Sequence, residues 1–182
     1  PTRIWTWFPP AEFAERRARV YREIGDAVAV LQGAGPLRSF DRFRQTNEVL
    51  YLTGLEAPQA YVLLDGARQA TSVYLPHQPA GERVDDTPVT VEDADRIGAL
   101  TGLDAVYPWS ELERHLAGRQ VVYTPFAPAE GRMSSRDVLV HAARSEAADP
   151  WDGGGTRQDR FIARLRAVLP DAEVRDLSPV LD

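Results

Sequence analysis

The chain contains no cysteine and no lysine. Without cysteine it can form neither disulfides nor thiolate metal sites, which fits a cytoplasmic protein without demanding one. All 21 basic residues are therefore arginine. Arginine suits planar pairing with carboxylates, but a chain rich in Ala, Arg, Gly and Pro with no Lys reads first as the coding bias of its gene. Positive charge is also in deficit, at a net −6, which makes nucleic acid, with its demand for a basic face, a poor first guess. No apolar run approaches the roughly 20 residues of a membrane helix. The opening "PTRIWTWFPP" lacks a basic region followed by a continuous apolar one, so it does not read as a signal peptide. Residue 1 is not Met, which points to processing or to a gene start further upstream.

At 182 residues, 43% of them hydrophobic and 26% charged, the chain is long enough for a substantial core and ordinary in composition for a globular protein. "PPAEFAERRARVYREIG" predicts a helix that prolines open and Gly25 closes, with Phe13, Val20, Tyr21 and Ile24 on the buried face. "DAVAVLQG" reads as an interior strand, and "AYVLLDGARQATSVYLPH" as a hairpin with Asp65-Gly66 in its connection. Short helix and strand signals then alternate. Thr90 with Asp93, and Ser110 with Glu113, are expected to cap helices, while "DAVYP" and "RQVVYTPF" are expected strands. "SSRDVLVHAARSEA" predicts a short helix. "TRQDRFIARLRAVLP" predicts a longer one, capped by Thr156 and apolar along Phe161, Ile162, Leu165, Val168 and Leu169. "AEVRDL" gives a last strand. With no repeat and no low-complexity linker, residues 1–182 read as one α/β layer domain.

No self-contained catalytic set is visible. His77, His115 and His141 lack metal-pair spacing and read as surface histidines. Asp85-Asp86 lie in a proline-flanked loop, and Glu92, Asp93 and Asp95 fall where a helix dipole already accounts for acidic residues. Ser134-Ser135 have no evident base, and no glycine loop has phosphate-binding spacing. The stretch "RFRQTNEVLYLTGL" is more particular. Thr46 or Asn47 can cap a short helical turn that Gly54 ends, and "SFDRF" before it reads as a strand. Polar groups at a strand end beside a tight turn are placed to reach a ligand or another chain. Arg44 and Gln45 are such groups, unless Arg44 pairs with a local carboxylate and Gln45 satisfies backbone.

"FRQTNEVLYLTGLEAPQAYVLL" resembles the Arg-Gln to Tyr-Leu-Thr-Gly segment in the N-terminal domain of aminopeptidase P and its prolidase and creatinase relatives. The resemblance extends from Arg16-Arg17 and "AVAVLQG" through "YVLLDG" and "SVYLPH" to "RDLSPVLD". It implies a three-layer α/β fold, a mixed sheet flanked by helices, similar to ribonuclease H. It also implies that the chemistry belongs to a following pita-bread domain, absent from this chain, which binds two divalent metal ions, often manganese. The chain itself would then hold no metal and no catalytic residue, and would be inactive alone. Its role would be to contact its own C-terminal catalytic domain and a homo-oligomer partner, and to wall a site for short proline-containing peptides. Arg44, Gln45 and Tyr51 are the candidates for facing substrate or another subunit. A Trp-x-Gly-x-Arg-x-Gly-like segment common in the family is missing from "HQPAGERVDDTPVTVEDADRIG". The other reading is a stand-alone interaction or regulatory module of the same fold. A nuclease is not supported, because fold does not transfer function.

Overall fold

Pro9 and Pro10 open the first helix, α1 (Pro10–Ile24), where a missing backbone N–H costs nothing. Gly25 closes it by donating its N–H to Tyr21 O at 3.0 Å, with φ at 58°. The computed structural model describes residues 3–36, 43–78, 89–127, 135–148 and 155–181. The buried stripe of α1 contains Phe13, Val20 and Ile24 as the periodicity requires. It also contains Arg17, which is 3% exposed.

Strands β2 (Val28–Gln32), β4 (Tyr61–Asp65), β5 (Ala70–Leu75), β6 (Ala105–Pro108), β7 (Val121–Thr124) and β8 (Glu173–Asp176) form one mixed sheet in the order β6-β5-β4-β2-β7-β8. β4 runs antiparallel to β2 and β5, and the other contacts are parallel. The β4–β5 hairpin pairs Tyr61 with Tyr74 and Asp65 with Ala70, so its four-residue connection (66–69) sets the register left open by the sequence. Two residues of β1 (Arg3–Ile4) pair separately with β3 (Leu55–Glu56).

The central strands are apolar on both faces, because both are covered. Ala29, Leu31, Val62, Leu64, Val73 and Leu75 face a layer made by α1, α2 (Asn47–Thr53) and α3 (Ala94–Thr101), with α7 (Ser178–Leu181) at its margin. Val28, Val30, Leu63 and Tyr74 face α4 (Leu112–Leu116) and α6 (Arg157–Val168). The α/β layering expected from the alternating elements, and the three-layer arrangement of a mixed sheet flanked by helices that the resemblance implies, are thus observed. The helix expected over "SSRDVLVHAARSEA" is observed as α5 (Arg136–Ala148), shifted by one or two residues at each end.

Thr156 caps α6 as its position predicts: its Oγ1 accepts from Asp159 N–H, and the Asp159 carboxylate accepts from Thr156 N–H at 2.8 Å. Ser110 does not cap its helix. Trp109–Glu111 form a 3₁₀ turn entered from Pro108, and only Leu112–Leu116 are α-helical. Pro108, extended with ψ at 154°, stands at the cap position, so Ser110 falls inside the 3₁₀ turn. The expected strand over "SFDRF" falls largely on residues 37–42, outside the described residues; Phe43 is not in a strand. The segment carrying the missing family motif lies mainly on 79–88, also outside them.

Candidate functional site

The Arg44–Gly54 stretch folds around α2. Gly54 takes φ of 67° and returns its N–H to Leu50 O at 2.8 Å, ending the helix after two turns. A Cβ at Gly54 would lie 2.5 Å from Phe13 Cζ, so close packing of α1 demands glycine as much as the backbone does. Arg44 is exposed and makes no hydrogen bond or ion pair with another described residue.

Gln45 is turned inward and is 3% exposed. Its Oε1 accepts from Ala34 N–H at 2.7 Å and Thr46 N–H at 3.0 Å, and its Nε2 donates to Ala57 O at 2.8 Å. Those bonds fasten the chain after β2, the entry to α2 and the loop after β3 to one another. The side chain is used internally and faces no solvent in this chain, because three backbone groups there have no ladder partner and must be matched.

Tyr51 is 44% exposed and lies elsewhere, against α1. The Arg16 guanidinium sits 4.5 Å from its ring centre, 4.7 Å from that of Phe8 and 5.4 Å from that of Phe13. Arg16 also donates to Glu12 Oε1 at 2.9 and 3.1 Å and to Tyr51 O at 3.1 Å. This stacked arginine forms one wall of a groove of about 540 Å³ between α1, α2 and α7. Arg19, Glu48, Arg136 and Leu181 contribute further walls, with Arg136 and Glu48 3.8 Å apart. Arg44 does not line this groove, so the structure does not bring the three candidates together.

Its neighbour Arg17 is structural. Its guanidinium donates to Leu52 O at 3.1 Å, Thr101 O at 3.4 Å and Gly102 O at 2.7 Å, closing the carbonyl ends of α2 and α3. Burial lowers its pKa from the usual arginine range, opposed by the nearby Tyr21 and Asp104. Arg16 and Arg17 are neighbours in the chain; their opposite uses follow from a 100° turn between them, which sends one to the rim and one to the core.

His115 is half-buried rather than solvent-facing. Its Nδ1 lies 2.7 Å from Tyr74 Oη and its ring packs 4.6 Å from that of Tyr107. Arg114 Nη2 lies 3.1 Å from Nε2 and can only donate, so Nε2 accepts and the ring proton sits on Nδ1, which donates to Tyr74. Burial lowers the His115 pKa, and the Arg114 charge adds to the effect. His77, by contrast, is exposed and lies 2.9 Å from Glu92; this hydrogen bond pulls the Glu92 carboxyl down to about 2. Among the described residues no three His, Cys, Asp or Glu side chains converge as a metal site, so a metal centre does not fit them. No helix among them is long and apolar enough to cross a membrane.

A family model described as the aminopeptidase P N-terminal domain matches residues 13–123. No curated protein matches the chain in a sequence comparison. Among solved structures, a Bacillus anthracis protein assigned as an aminopeptidase P superposes with a TM-score of 0.64 at 16% identity, over 96% of this chain and 39% of that one. Escherichia coli aminopeptidase P, solved with the inhibitor Pro-Leu, gives a TM-score of 0.60 at 18% identity, over 96% of this chain and 38% of that one. Pseudomonas aeruginosa aminopeptidase PepP gives 0.59 at 21% identity, over 97% and 38%. At such identities the likeness is one of fold, and this chain spans under two-fifths of each of those proteins.

Proposed function

The chain belongs to the aminopeptidase P N-terminal domain family, and from that premise we propose that it serves as the non-catalytic N-terminal unit of a metal-dependent Xaa-Pro aminopeptidase. In this reading the unit packs against a catalytic domain and a second subunit, and it narrows the approach to an active site it does not itself contain. The observation that carries the reading is the family match over residues 13–123, supported by a fold shared with aminopeptidase P structures more than twice its length.

Surface chemistry supports the contact role. Trp7 is 81% exposed and its ring packs on Trp5 at 5.0 Å, while Phe8 and Tyr51 flank Arg16 in an aromatic and arginine patch. Such residues are enriched where protein surfaces meet, since they bury much area at little entropy cost. The groove between α1, α2 and α7 adjoins this patch and suits a second polypeptide better than a small ligand, being polar on one side and open. Arg44 suits the wall role. An uncommitted guanidinium can hold a peptide carboxylate through two parallel N–H bonds, and a narrow wall excludes folded chains by bulk alone. The two divalent ions, manganese by the family's habit, would be held by the catalytic domain and supply the hydrolytic chemistry there.

The test is an assay of Xaa-Pro peptide cleavage with added manganese, using the 182-residue chain and the uninterrupted gene product side by side. The chain alone is expected to be inert, and the gene product to release the residue before proline. In the gene product, Arg44→Ala should raise KM with little change in kcat. Turnover by the chain alone, or a gene product of the chain's own length without activity, overturns the assignment.

A further inference from the structure

We infer that the crevice at the carboxyl ends of β2 and β7 binds a small carboxylate carrying a short apolar body. Those two strands are parallel neighbours, and the chain leaves them in opposite directions, from β2 toward β4 and from β7 through α6 to β8. Open α/β sheets bind ligands at such a point, because the diverging connections leave a gap above the strand ends. Here the gap measures about 260 Å³. That is just below the roughly 300–1,000 Å³ of drug-sized pockets, and so fits a small molecule.

Two of its lining residues, Thr46 and Arg157, each carry a buried polar atom without a partner. Thr46 is 9% exposed, yet its Oγ1 is buried and makes no hydrogen bond, and although Thr46 stands at the start of α2 it does not cap that helix. The Arg157 Nε is buried without an acceptor as well. The one hydrogen bond of that guanidinium to a described residue runs from Nη2 to Gly33 O at 3.3 Å, and no described carboxylate pairs with it. A buried, unmatched N–H on a charged group is costly, so an oxyanion that accepts from it and from Thr46 resolves both deficits.

The field has the right sign. Thr156, Arg157 and Gln158 bring the positive end of the twelve-residue α6 to the crevice. Asp159, the nearest acidic group of that turn, is occupied by its capping bonds to Thr156. Gln158 is held in place by donating Nε2 to Pro125 O at the end of β7. Opposite these polar groups, Leu139, Ala142 and Ala143 of α5 give an apolar wall. One end of the ligand is thus charged and the other aliphatic.

The probe is sodium butyrate, titrated into the isotopically labelled 182-residue chain at constant ionic strength and followed by backbone amide shifts. Saturable shifts at Thr46, Ala142 and Arg157 are expected, with much weaker binding of butyramide and of inorganic phosphate. Thr46→Val, which keeps the shape, and Arg157→Gln should each weaken butyrate at least tenfold, the loss of a hydrogen bond to a charged group. If Arg157→Gln fails to fold, Ala143→Phe, which fills the apolar end, serves instead and should abolish binding. Equal binding of butyramide or phosphate, shifts that never saturate, or unchanged affinity in Thr46→Val overturns the assignment.

Discussion

Replacing Gln45 with alanine separates a structural role from a substrate-facing one. The substitution deletes the acceptor of Ala34 N–H and Thr46 N–H and the donor to Ala57 O. A buried polar group left unmatched costs ~1–3 kcal/mol. Ala34 is half-buried and can turn to water, whereas Thr46 and Ala57 are buried. Two full penalties, eased where water enters the vacated space, amount to about 3 kcal/mol. That is a large part of the ~5–15 kcal/mol that holds a domain folded. For a chain of this size it lowers Tm by about 6–12 °C. Urea unfolding should show the midpoint falling at an unchanged slope. Gln45→Glu refines the test: the carboxylate still accepts both N–H groups but sets oxygen against Ala57 O, so it should fall between wild type and Gln45→Ala. Arg44→Ala, at an exposed neighbour, should stay within ~0.5 kcal/mol of wild type. A loss below 1 kcal/mol in Gln45→Ala would refute the reasoning and return Gln45 to the surface-facing role the sequence left open.

Two further predictions rest on single positions. Gly54→Ala must hold a left-handed backbone and push Phe13 from a contact of 2.5 Å, so a loss of about 2–5 kcal/mol is expected from the two costs together, read as a Tm drop. His115 has a folded-state pKa below its unfolded value, so the unfolded chain binds more protons between the two. The stability it contributes is complete above the unfolded value of ~6.5 and is lost as pH falls through the folded value. Urea midpoints should therefore drop from pH 7.5 to 5.5, and His115→Gln should remove most of that drop. An equal slope in the variant would show that other groups carry it. Asp176 acts in a lower window. Burial would raise its pKa, but hydrogen bonds from Ser178 and Phe126 outweigh that, so its contribution fades only as pH falls below the ordinary Asp value.

The resemblance carried by Arg44-Gln45 through Gly54 led to the right family because it rests on local features. A helix stop at Gly54, a strand before Gly33 and a capped helix at Thr156 each need only a few neighbouring residues to be recognised. The layered fold followed from the alternation of those elements. The uses of polar side chains inside it were less legible. Gln45 could be read either way, Arg17 gave no sign of being buried, and His115 looked exposed because its helix is charged.

What the chain determined by itself is where its helices and strands start and stop, and which residues they turn inward, since capping, glycine conformation and apolar periodicity are properties of short windows. The strand order β6-β5-β4-β2-β7-β8, and every site that depends on it, was decided only by the tertiary structure. Arg157 reaches Gly33 from 124 residues away, and Arg17 reaches Gly102 from 85. No local pattern specifies which distant carbonyls a buried guanidinium will meet; that is settled when packing brings their backbones together and each buried polar group must find a partner.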